Sequence, residues 1–141
     1  MNFQDAIERM PQKGEMCLIQ EVLSADETSI RCRAKDHRSA GYPLRIAGEL
    51  MMASLVELGA QAAAAHASLY GIGTHHAGML LALQNVEIRE PDDTLAEDLL
   101  EASAERLHFD DAAARYRFAV HCRSSEVLSG EAMLMMQAVT P

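Results

Sequence analysis

The sequence predicts an α+β domain in which one mostly antiparallel sheet curls around one long apolar helix. Three observations predict it. Residues 49–70 contain no proline, many strong helix formers and apolar side chains on almost every side. Two strand-like segments precede this stretch and four follow it, with turn residues between them. No repeat, low-complexity tract or long linker interrupts the 141 residues, so one domain over 1–141 accounts for the chain.

Each element has its own signal. Residues 1–10 suit a short helix, with Asn2 as a cap and Ala6, Ile7 and Met10 along one side. Pro11 and Gly14 break it, and MCLIQEVL (16–23) reads as a first strand. SADET supplies a turn. SIRCRAK (29–35) then alternates, with Ile30, Cys32 and Ala34 on one face and Arg31, Arg33 and Lys35 on the other. Residues 36–48 read as a loop on their Gly, Pro and Ser content. The helix over 49–70 would be about 33 Å long. Glu49, Glu57, Gln61 and His66 argue against a membrane span, so a helix wrapped by other elements is expected. Gly59 and Ala60 to Ala65 leave little bulk, so its neighbours can approach closely. Residues 71–78 read as a flexible connection. Strands are expected over 79–90, 99–109, 114–123 and 126–139. A single curled sheet of this kind leaves edges and apolar surface, which a dimer would cover.

Composition narrows the function. A net charge of −9 argues against a dedicated nucleic-acid binder, and with three Phe, three Tyr and no Trp the core is expected to be Leu, Ala, Met and Val. Cys17, Cys32 and Cys122 have no paired spacing, so neither a disulfide framework nor a zinc site is expected, and a reducing cytoplasm is the natural compartment. The opening MNFQDAIERM has acids and no apolar run, unlike a secretory signal. The charge is uneven: residues 31–45 hold Arg31, Arg33, Lys35, Arg38 and Arg45 against Asp36 alone. Such a stretch is either a solvated strand face or a surface that steers an acidic partner.

Several short motifs, in order, resemble a known family. Met10-Pro11-Gln12-Lys13-Gly14-Glu15-Met16-Cys17-Leu18-Ile19 is similar to the opening of the 3-hydroxyacyl-acyl carrier protein dehydratases of the hot-dog fold, with Gln12 where His is common. Glu57-Leu58-Gly59-Ala60-Gln61 resembles the Glu-x-x-Ala-Gln signature of their central helix. His37-Arg38, Pro43-Leu44-Arg45 and Gly48-x-Leu50 resemble a dehydratase-like branch found with aryl polyene and related fatty-acid-type pathways. The resemblance covers nearly the whole chain. It implies a hot-dog fold, no metal or organic cofactor, and an acyl thioester on an acyl carrier protein or coenzyme A. It also implies a homodimer or dimer-based oligomer, with the catalytic groups brought together across subunits. In the family a His in a His-x-Pro-Gly loop takes the α proton and the helix carboxyl protonates the departing hydroxyl. This sequence keeps Glu57, but Tyr42 stands fifteen residues upstream, followed by Pro43-Leu44-Arg45, and Met51 stands where Pro is common.

The candidate residues follow. Glu57 is a lone ionisable group on an apolar helix and the candidate acid; its structural alternative is a carboxyl bonded to Gln61, one turn on. His37 is the histidine of the loop leading to the helix and the candidate base. Tyr42 is a poor base but can hydrogen-bond a substrate, and Gln61, Met51 and Met52 are candidate substrate contacts. The five cations of 31–45 are candidates for docking a carrier protein or a pantetheine phosphate. His66 reads as a satisfied buried histidine, and His75-His76 as part of a surface loop rather than a metal site. Two alternatives to dehydration stay open: a hot-dog thioesterase in which Glu57 activates water, and a non-catalytic subunit that binds carrier protein or stabilises a complex.

Overall fold

The computed structural model describes residues 4–9, 14–39, 41–71, 75–90 and 98–138. Six strands form one antiparallel sheet: β1 (Ile19–Ala25), β2 (Ser29–Ala34), β5 (His75–Ile88), β6 (Leu100–Phe109), β7 (Ala113–Cys122) and β8 (Ser125–Ala138). Their order across the sheet is β1-β2-β6-β7-β8-β5. A two-stranded hairpin, β3 (Arg45–Ile46) with β4 (Glu49–Leu50), precedes the long helix α2 (Val56–Leu69). A short helix α1 (Gln4–Arg9) packs on α2 and β1, with Ile7 against the core. The expected cap Asn2 and Met10 lie outside the described residues.

The alternation in the sequence becomes the two faces of the sheet. In β2, Ile30, Cys32 and Ala34 are buried under α2, whereas Arg31 and Arg33 are exposed. In β7, Ala114, Tyr116, Phe118, Val120 and Cys122 point inward. The inner face of the sheet wraps α2, of which Leu58 to Leu69 are all buried. The small residues permit a close approach: a Cβ on Gly59 would lie only 2.1 Å from the Phe118 ring. All three cysteines are buried and unbridged, and burial pushes the Cys32 thiol up to about 12. Among the described residues no helix is long and apolar enough to cross a membrane.

Three expectations change. The helix does not run over 49–70. Residues 49–50 pair with 45–46 across Ala47 and Gly48, at φ 52° and 82°, a two-residue turn with both centres in the left-handed region. A 3₁₀ turn, Met52–Leu55, then leads into α2. There both Oγ and N–H of Ser54 donate to the Met51 carbonyl, while Leu50, Met52 and Leu55 are all buried. Tertiary burial overrides helix propensity here, and the α-helix is 14 residues long, roughly 21 Å. The stretch 36–48 is therefore not all loop. Finally, His75 and His76 do not lie in a flexible connection: they open β5, paired with Ala138 and Gln137 of β8.

Candidate functional site

Shortening the helix moves Glu57. It occupies the first turn of α2, half-buried, instead of the middle of a sealed helix. Gln61, one turn later and fully buried, holds it: Nε2 of Gln61 donates to Glu57 Oε1 at 3.0 Å. The same amide donates to the Met16 carbonyl at 2.7 Å and accepts the Leu18 N–H at 2.7 Å. A carbonyl only accepts and an N–H only donates, so these two backbone groups fix which way the amide faces. Gln61 thus ties the chain entering β1 to the carboxyl, a positioning role visible beside the expected substrate contact. Of the two methionines, Met52 is wholly in the core and Met51 is half exposed.

His37 and Tyr42 share one braced loop. Arg45 Nε donates to the His37 carbonyl at 2.9 Å and Nη1 to the Gly48 carbonyl at 2.9 Å. Tyr42 N–H donates to the Ser39 carbonyl, and Arg45 N–H to the Tyr42 carbonyl. Both rings are buried, His37 at 2 % and Tyr42 at 5 % exposure. The Tyr42 hydroxyl is sealed from solvent and has no hydrogen-bond partner among the described residues. Burial pushes this phenol up to about 12, against the weaker pull of the Arg45 guanidinium. The sequence singled out both residues; it held no sign that Arg45 would brace the loop carrying them.

The five cations do not form one free basic patch. Arg38 grips Asp36 with two hydrogen bonds, of 2.8 and 2.9 Å. Arg33 pairs with Glu21, and Arg31 lies 3.9 Å from Glu101. Lys35 reaches the Gly14 carbonyl at 3.5 Å, and Arg45 serves the loop backbone. Neighbouring strands β1 and β6 supply the acids for Arg33 and Arg31, a juxtaposition that chain order conceals.

His66 marks the opposite end of α2 and is fully buried. Its Nε2 donates to the Asp26 carbonyl at 2.7 Å, which leaves Nδ1 to accept the Tyr116 hydroxyl at 2.7 Å. Arg106 donates to the Tyr70 carbonyl at 2.6 Å and reaches Tyr116 and His66 at 3.3 Å. Burial, aided by Arg106, pushes His66 down to about 4, so the ring is neutral near pH 7. This is the satisfied histidine that the sequence suggests.

A family model described as ApeP-like, ApeP dehydratase, matches residues 4–139. The chain belongs to the ApeP dehydratase family. Solved structures agree on the architecture. The chain is similar to the dehydratase heterocomplex ApeI:P from Xenorhabdus doucetiae, at 20 % identity and TM-score 0.76 over 93 % of this chain and 90 % of that one. A mutant thioesterase from Pseudomonas aeruginosa matches at 12 % identity and TM-score 0.72, over 99 % and 96 % of the two chains. A thioesterase family protein from Silicibacter pomeroyi matches at 13 % and 0.71, over 96 % of each chain. At these identities the likeness shows the fold, which is the hot-dog fold. No curated protein matches the sequence. The dehydratase-like reading of the motifs therefore stands, with a thioesterase-like architecture shared by its neighbours.

Proposed function

We propose that this chain acts on 3-hydroxyacyl thioesters, removing water to give the trans-2-enoyl thioester. The family match over residues 4–139 carries the reading. In the reaction a base removes the C2 proton, the C2–C3 double bond forms, and the C3–O bond breaks. Glu57 delivers its proton to the departing hydroxyl, which leaves as water. Its half-buried place in the first turn of α2, held on one oxygen by Gln61, leaves the other oxygen for the substrate. His37 is the candidate base, in the loop that Arg45 braces.

The assembly is proposed to be a pair of hot-dog chains, a homodimer in the simplest case. Strand β5 lies at the edge of the sheet and exposes Leu80, Leu83, Val86 and Ile88, so a second sheet edge would satisfy both its backbone and its apolar surface. That the similar ApeI:P structure is a heterocomplex supports a protein partner. An acyl carrier protein is the proposed donor of the acyl chain. Arg31, Arg33 and Arg38 keep exposed heads for it, and their surface ion pairs are weak enough to be exchanged.

The test is incubation of the assembled protein with a 3-hydroxyacyl-carrier protein, following the conjugated enoyl product. Turnover lost in Glu57→Gln is expected. Release of free thiol in place of enoyl product would move the assignment to the thioesterase reading. Carrier binding without turnover, unchanged in Glu57→Gln and His37→Ala, would make the chain a binding subunit.

A further inference from the structure

Two buried tyrosines in this protein are treated very differently. The Tyr116 hydroxyl donates to His66 and accepts from Arg106. The Tyr42 hydroxyl is equally sealed yet meets no partner among the described residues. Leaving a buried hydroxyl unsatisfied carries a desolvation cost that phenylalanine would avoid. The surrounding backbone is nevertheless tightly held. Tyr42 sits between hydrogen bonds to Ser39 and from Arg45, inside a loop closed by the Arg45 side chain. Its ring is part of the buried core, in the stretch of chain that leads through β3 and β4 into the Glu57 helix. A fixed phenol with an idle hydroxyl, in the braced loop that leads to the Glu57 helix, is placed to serve a ligand.

The chemistry selects the ligand atom. This phenol stays protonated at neutral pH, so it cannot take the C2 proton; it can only donate a hydrogen bond or accept one. The Arg45 guanidinium acts on it electrostatically, which favours donation to an oxygen that gains negative charge. In the proposed elimination that oxygen is the thioester carbonyl, which becomes enolate-like as the C2 proton leaves. We infer that the Tyr42 hydroxyl donates a hydrogen bond to the carbonyl oxygen of the bound acyl thioester. The inference rests on the acyl-thioester reading given above.

The test is Tyr42→Phe in the purified full-length protein, in its native assembly. Two non-cleavable pantetheine amides serve as probes, one with a saturated acyl chain and one with a 3-hydroxyacyl chain. Binding is measured by titration calorimetry and stability by thermal unfolding. The variant is expected to bind both amides about 3–10-fold more weakly, the loss of one hydrogen bond. Its Tm is expected to be unchanged or higher, because an idle buried hydroxyl has been removed. Equal affinity of variant and parent overturns the inference, as does a Tm several degrees lower, which would reveal a structural partner for the hydroxyl. A loss confined to the 3-hydroxyacyl probe overturns the carbonyl assignment in favour of the substrate hydroxyl. If the parent protein binds neither amide, the acyl-thioester reading itself falls, an outcome distinct from the others.

Discussion

The two ends of α2 carry buried polar groups on the same apolar helix, and they are built to opposite rules. At the C-terminal end, His66, Tyr116, Arg106 and the Asp26 carbonyl satisfy one another. Toward the N-terminal end, Gln61 holds one oxygen of a half-buried Glu57, and in the loop that leads to the helix the Tyr42 hydroxyl is idle. A closed network of this kind stabilises a fold and has no capacity left for chemistry. An open one costs stability and keeps a donor and a carboxyl available. The contrast separates polar groups that satisfy one another from those left available for the proposed chemistry, a distinction that residue type alone does not make.

The largest effect expected is on turnover at the open end. Glu57→Gln should lower the rate of enoyl formation by about 10²–10⁴-fold, the usual contribution of a positioned acid, with little change in Tm. Full activity in this variant would remove Glu57 from the reaction. At the closed end the pattern should invert. His66→Leu strands the Tyr116 hydroxyl and the Asp26 carbonyl and should cost about 2–4 kcal/mol by urea unfolding, while activity well below the Tm persists.

The pH dependence of stability should come from the same end. His66 titrates near 4 when folded and near 6.5 when unfolded, so the unfolded chain binds more protons between those values. Its contribution is complete above pH 6.5 and is lost as pH falls toward 4, up to about 3 kcal/mol in all. Urea midpoints measured across this window should lose most of that slope in His66→Leu; an unchanged slope would place the acid sensitivity elsewhere.

The smallest effect sharpens the boundary. Gln61→Met leaves the Leu18 N–H and Met16 carbonyl without their partner and should cost about 1–3 kcal/mol. If Gln61 also positions Glu57, kcat should fall by about tenfold with KM unchanged, at temperatures where the variant is folded. A fall in stability alone would assign Gln61 to the closed class.

Much of this was legible in the sequence. Alternation in SIRCRAK and ARYRFAVHC places Ile30, Cys32, Tyr116 and Phe118 inside, because a pleated strand has a strict period of two. The small residues from Gly59 to Ala65 require close neighbours, and Phe118 provides one. The Glu-x-x-Ala-Gln spacing places Glu57 and Gln61 on one helix face, where they bond. The helix start was not legible. Propensity is local, whereas the turn through Ala47 and Gly48 and the burial of Leu50, Met52 and Leu55 depend on the sheet.

The sequence by itself determined the α+β class, the six long strands, the faces of the strands and the family, because these rest on periodicity and on motifs contiguous in the chain. Only the tertiary structure decided how the charges and polar groups are used. The cations of 31–45 meet acids from Glu21 and Glu101, Arg45 turns to the backbone of its own loop, His66 finds Tyr116, and Tyr42 finds no partner among the described residues. Hydrogen bonds and ion pairs form between groups that folding brings together, and most of these lie on different elements of the fold.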